Sequence, residues 1–159
     1  MEPRAASNLS IAAAISIISV FGISLGLTVP VIALVMAENG YSSAAIGVHV
    51  SVQFLGLMLV SPLTPVLLVR FGTSRLMIYG LLSIACIMAL FAVFSSVLSW
   101  LLLRFCLGAV EAVIFISADT WINQIAPPKR RGRIIGLYAT AISAGFGLGP
   151  FLLAYTGIT

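Results

Sequence analysis

The chain has 159 residues, of which 61% are hydrophobic and 8% charged, with a formal net charge of +4 and a mean hydropathy of +1.20. Soluble domains carry about 25% charged residues, so this composition excludes a water-soluble fold and calls for an integral membrane protein. The basic residues are clustered without the aromatic and polar neighbours of an exposed nucleic-acid face, which excludes nucleic-acid binding.

A spanning helix takes about 20 apolar residues, and the pattern predicts five of them, over 9–37, 46–68, 76–94, 98–125 and 134–155. The first run, Leu9 to Ala37, is free of charge. It is roughly twice as long as a signal-peptide core and is expected to stay in the membrane. Pro30 would kink it, and Gly22 and Gly26 form a small-xxx-small pair for close helix packing. Glu38 to Ser43 reads as a turn. The second span carries His49 and Gln53 and leads into the short basic loop Val69 to Arg75, where Thr73 or Ser74 is expected to cap the third span. Ser95, Ser96 and Val97 make a tight connection to the fourth span, which has Trp100 near one interface and Trp121 near the other. A proline pair and the cluster Lys129, Arg130, Arg131 and Arg133 separate it from the fifth.

Arg4, Arg70, Arg75, Lys129, Arg130, Arg131 and Arg133, seven of the eight basic residues, fall on one side of this topology, and the opposite side has Glu38 with no Lys or Arg. The positive-inside rule then puts the N-terminus in the cytoplasm. With five spans, Thr159 falls on the other side.

The eighth basic residue, Arg104, lies inside the fourth span with Glu111 and Asp119. Intramembrane charges are costly and mark functional sites by default. Arg104 and Glu111 are seven residues apart, roughly 10 Å along the axis and nearly on one face. They could bracket a polar cavity, and an acid that exchanges a proton there is what a proton-coupled transporter needs. A structural acid bonded to a neighbouring helix is the bland alternative. His49 and Gln53, four residues apart, share a helix face. They could bind substrate or carry protons, or simply be satisfied by a neighbouring helix. Asp119 lies two turns beyond Glu111, where it is expected to reach Arg70 or Arg75. Such a pair would be either a latch, made in one state and broken in another, or a static interfacial contact worth little.

The fifth span carries Gly136, Gly145, Gly147, Gly149 and Pro150, a surface on which another helix can approach closely. Pro150 removes a backbone hydrogen bond and allows a bend. Cys86 and Cys106 lie in apolar runs and are expected to be buried structural thiols. No Cys/His spacing suggests a metal site, and no cofactor is expected. An intramembrane enzyme is not expected, because the spans hold no paired nucleophile and base and no metal-ligand set.

These features resemble the N-terminal half of a major facilitator superfamily transporter. The second-to-third-span signature of that family is usually Gly-x-Leu-Ala-Asp-Arg-x-Gly-Arg-Arg. Here Pro65-Val66-Leu67-Leu68-Val69-Arg70-Phe71-Gly72-Thr73-Ser74-Arg75 keeps the Leu, the Arg and the Gly and closes on Arg75. Pro65 replaces the first Gly, and Val69 stands where the gating Asp would be. Arg104-Phe105-x-x-Gly108 is similar to the family's fourth-span arginine motif, and Arg131-Gly132-Arg133 to its basic turn. Gly145-x-x-x-Gly149-Pro150 is like the proline–glycine motif of the antiporter branches. Ala118 to Asn123, followed by Gly136-Leu137-Tyr138, most resembles a YcaD-like branch.

The resemblance implies five helices of an all-α six-helix bundle, half of a twelve-span protein working by alternating access with substrate bound near the midplane. It implies a secondary transporter in the bacterial inner membrane, coupled to protons and carrying a small organic solute. It places Arg104 in the cavity and Asp119 in a cytoplasmic charge relay with Arg70, Gly72 and Arg75, a relay that lacks its usual acid at Val69. Five spans leave that half incomplete, so residues 1–159 read as a partial domain whose partners include the missing C-terminal helices. The other reading is a non-transporting membrane fragment or a membrane protein that binds a partner.

Overall fold

A computed structural model describes residues 8–94 and 96–156. Arg4, Ser95 and Thr159, which enter the expected topology and the expected tight connection, lie outside the described residues. Six helices follow in order: α1 (Asn8–Glu38), α2 (Ser43–Val60), α3 (Thr64–Phe71), α4 (Thr73–Val93), α5 (Val97–Ile125) and α6 (Arg131–Thr156). No strand occurs among the described residues. Five segments are long and apolar enough to cross a membrane: Leu9–Glu38, Ser43–Phe71, Thr73–Val93, Val97–Ile125 and Pro128–Leu152. They agree in number and order with the five predicted spans, with shifted limits.

The second span differs from expectation. It is not one helix over 46–68 but α2 and α3 joined by a 3-10 turn, Ser61–Leu63. Pro62 and Pro65 explain the break, since neither has an N–H to donate and each ring crowds the preceding turn. Thr64, buried in this joint, donates its hydroxyl to the Val60 carbonyl at 3.2 Å. The span also starts earlier than predicted, at Ser43, because the Ser42 hydroxyl accepts from the Ala45 amide at 3.3 Å.

The expected cap of the third span at Thr73 or Ser74 is absent. Gly72 alone turns the chain between α3 and α4, with φ 80° and ψ 152°, and no side chain caps α4. That conformation is open to glycine and strained for other residues. With the reversal made in one residue, Thr73 is already helical. At the next turn Ser96 does cap α5, its Oγ accepting from the Ser99 amide at 3.2 Å.

Two compact units divide the chain, with boundaries inside α1 and α5. In the unit formed by residues 1–35 and 118–159, α1 and α6 run parallel. Gly22 and Gly26 meet Ile142, Gly145, Phe146 and Gly149 backbone to backbone. A Cβ on Gly22 would lie 2.6 Å from the Ile142 carbonyl oxygen, and one on Gly145 2.8 Å from that of Ser19. Gly26 and Gly149 approach each other more closely still. The two small-residue patterns seen separately in the sequence are thus the two sides of one contact. Gly147, between them on α6, faces open space. Both helices continue through their prolines, Pro30 and Pro150.

In the unit formed by residues 36–117, α2 and α5 make the close contact. Gly56 rests on the Phe105 carbonyl and Gly108 on the Gln53 carbonyl. Gly80 of α4 receives Ile114 of α5, whose Cγ1 would lie 2.6 Å from a Cβ there. Leu76, Met77, Ile84, Leu107 and Ile114 are buried around these contacts. Cys86 and Cys106 are exposed rather than buried. The outward faces of these helices are themselves apolar, with Phe54, Val69 and Leu98 exposed beside them. Lipid tails are as apolar as a leucine core, so a hydrophobic run does not tell an inward thiol from a lipid-facing one.

Candidate functional site

Helix α5 carries the most buried of the five spans, and its inner face holds Arg104 and Glu111, both with no exposed surface. Gln53 of α2 is equally buried. The close approach at Gly56 and Gly108 puts Gln53 between the two charges. Its side-chain nitrogen Nε2 donates to Glu111 Oε2 at 2.8 Å, and its Oε1 accepts from Arg104 Nη1. The seven-residue spacing put both charges on one face, as expected. The amide from another helix is what joins them.

The arrangement offsets a cost that neither charge could bear alone. A single carboxylate or guanidinium in an apolar interior loses several kcal/mol of hydration, and only a partner with additional hydrogen bonds repays it. Gln53 supplies a donor to the acid and an acceptor to the base at once. One carboxylate oxygen, Glu111 Oε1, has no hydrogen-bond partner among the described residues. It remains able to accept from a ligand or to carry a proton.

His49, one turn before Gln53, is also buried and on the same face. It packs edge-on against Trp100 of α5, with ring centroids 6.4 Å apart and planes at 85°. Both ring nitrogens lack a hydrogen-bond partner among the described residues. The sequence marked Trp100 only as an interfacial residue, although it is part of the wall around His49. Its indole N–H donates to the Phe94 carbonyl, which fixes the ring. Ser117, six residues past Glu111, was also missed. Its hydroxyl is buried and without a partner among the described residues. A hydroxyl in an apolar run gives no periodic signal by which the sequence could have singled it out.

The residues assigned to a cytoplasmic relay are exposed. Arg70 lies over its neighbour Phe71, 5.5 Å from the ring centroid, and Arg75 is exposed in the first turn of α4. In the other unit, Asn123 Nδ2 donates to the Asp119 backbone carbonyl at 2.9 Å and approaches its Oδ1 at 3.4 Å. Arg131 Nη2 donates to Asn123 Oδ1 at 3.2 Å. Gly145 and Gly149 are buried in the α1–α6 contact, and Pro150 is exposed. No group of His, Cys, Asp and Glu among the described residues could hold a metal ion.

Comparison with known proteins gives a consistent family. The sequence profile of the Major Facilitator Superfamily matches residues 12–158. An uncharacterized MFS-type transporter, YfkF of Bacillus subtilis, is 30% identical over 86% of this chain and 35% of its own length. Multidrug resistance protein 1 of the same species is 30% identical over 80% of this chain and 33% of its own. Quinolone resistance protein NorA of Staphylococcus aureus is 24% identical, again over 80% of this chain and 33% of its own. The chain spans about a third of the length of these relatives. No solved structure matches.

Proposed function

We propose, from the premise that the chain belongs to the Major Facilitator Superfamily and is a multi-pass membrane protein, that it forms the first five spans of a secondary transporter working by alternating access, moving a small organic solute and coupled to protons. The observation that carries this reading is the buried Arg104–Gln53–Glu111 chain in otherwise apolar helices. Its free carboxylate oxygen, Glu111 Oε1, gives a proton or a solute a place to bind. His49 would extend the polar surface along α2. The printed names of two relatives, multidrug and quinolone resistance proteins, support an organic solute.

Asp119 would act with Arg70, Gly72 and Arg75 as a latch on the cytoplasmic side, with the N-terminus on that side and the bacterial inner membrane as its location. The α1–α6 contact at Gly145 and Gly149, with Pro150 beside it, would be a surface along which helices shift between states. The missing helices of the parent protein would complete the substrate cavity.

The test is flux of a quinolone by the full-length protein in liposomes. A pH gradient should drive transport, and Glu111→Gln should abolish the dependence on the gradient while substrate binding persists. Gradient dependence unchanged in Glu111→Gln would remove the acid from coupling. No gradient-driven flux of a quinolone or of other organic solutes by the unaltered protein would sink the transporter reading.

A further inference from the structure

A half-open cavity of about 420 Å³ lies between the starts of α1 and α6, lined among others by Ile11, Ile15, Ile134, Leu137, Arg130 and Arg133. All of these belong to one compact unit, and none is a member of the Arg104–Gln53–Glu111 chain. Its walls have two chemistries. Ile11 and Ile15 occupy the first two turns of a spanning helix, and Ile134 and Leu137 the first two turns of another. They make an apolar slot between the starts of the two helices. Ile134 is buried, while Leu137 is 56% exposed, so the slot opens onto the outer side of α6. At its mouth stand Arg130 and Arg133, both exposed. Their neighbour Arg131 is engaged by Asn123.

We propose that this cavity is a binding site for one anionic phospholipid, its phosphate held between Arg130 and Arg133 and the first part of an acyl chain against Ile11, Ile15, Ile134 and Leu137. Charge complementarity selects the occupant. Two guanidiniums match a phosphodiester with bidentate geometry, and a basic pocket between spanning helices at the membrane surface is a headgroup site of this kind. A free phosphate would leave the apolar slot unused. A neutral lipid tail would leave the two cations without a counter-charge. A phospholipid with a net negative headgroup satisfies both walls at once, and the bilayer supplies it at high local concentration.

The full-length protein, released from nanodiscs containing phosphatidylglycerol and phosphatidylcholine of the same chain length, would be examined by native mass spectrometry. The unaltered protein should retain one phosphatidylglycerol in preference to phosphatidylcholine. The double substitution Arg130→Gln/Arg133→Gln should weaken that retention on the order of tenfold to thirtyfold, at about one surface charge's contribution per arginine. Ala12→Phe, which fills the slot and leaves both arginines, should lose it as well. Arg70→Gln/Arg75→Gln removes the same charge elsewhere and should retain it. The helix content of each variant, read by circular dichroism, keeps misfolding apart from loss of the site.

Equal loss in the Arg70/Arg75 control would mean general surface attraction and would overturn the site. Undiminished retention in Arg130→Gln/Arg133→Gln would do the same. Displacement of the lipid by inorganic phosphate alone would show that the apolar slot takes no part. No retained phosphatidylglycerol on the unaltered full-length protein would overturn the site.

Discussion

Among the described residues an acid is twice linked to an arginine through a side-chain amide, once buried and once exposed. Arg104, Gln53 and Glu111 form the buried chain across two helices. Arg131, Asn123 and Asp119 form the other, at the end of α5 and the start of α6, where the acid and the arginine are exposed. The same three functional groups have unequal value because of their surroundings. Water competes for every hydrogen bond of the exposed chain, so its net worth is small. The buried chain is shielded from water, and removing one member breaks the hydrogen bonds that the others make to it. Identical chemistry thus marks a candidate site in one place and a local fastening in the other.

The largest expected effect breaks this comparison at its centre. Glu111→Leu or Arg104→Leu alone should destabilise the protein by about 3–5 kcal/mol, because each removes the opposite charge that accompanies a buried charged group. Combining them should cost clearly less than the sum, since no charge is then stranded. Reversible unfolding in mixed micelles, followed by circular dichroism, checks this. Additive losses would show that the two charges are not coupled through Gln53. Gln53→Leu removes the bridge while keeping both charges. It should cost about 1.5–3 kcal/mol, the range for hydrogen bonds to charged groups.

Next come the glycine contacts. Gly149→Val would drive a branched side chain into the backbone at Gly26, for a loss of about 1–3 kcal/mol. Gly147→Ala, two residues away and facing open space, should stay within about 1 kcal/mol of the parent. Equal effects at the two positions would contradict the parallel α1–α6 contact. In the exposed chain, Asn123→Ala should shift the unfolding midpoint by the equivalent of less than about 1 kcal/mol, and less still in high salt. A loss as large as that of Gln53→Leu would erase the distinction between the two chains.

The smallest expected effect is at Tyr138. Its ring is buried and its hydroxyl has no partner among the described residues. Tyr138→Phe removes a buried polar group that gains nothing from the fold, so the thermal midpoint in detergent should hold or rise slightly. A clear drop would mean that the hydroxyl is bonded in the folded protein.

Several of these features were legible in the residues alone. The number and approximate limits of the spans follow from hydropathy, because a stretch of about 20 apolar residues without charge has few other uses. Arg104, Glu111, His49 and Gln53 stood out because polar groups are rare in such stretches, and helical spacing correctly put each pair on one face. Gly22 and Gly26, and Gly145 and Gly149, were visible as surfaces for close approach. The break at Ser61–Leu63 was also written in the chain, in Pro62 and Pro65, but hydropathy outweighed it.

What tertiary structure alone decided is which surface meets which. Spacing cannot show that Gln53 lies between Arg104 and Glu111, since the joining residue comes from a helix more than fifty positions away. Nor can it show that the glycines of α1 face those of α6 while Gly147 points away. Cys86 and Cys106 were misplaced for the same reason: in a lipid solvent the inner and outer faces of a helix are both apolar, so hydrophobicity, which separates core from surface in water, carries no such information here. The sequence by itself determined a five-span membrane chain with a few costly polar groups. Packing decided that three of those groups form one buried hydrogen-bonded chain, because only the close approach of two helices at Gly56 and Gly108 brings an amide within reach of both charges.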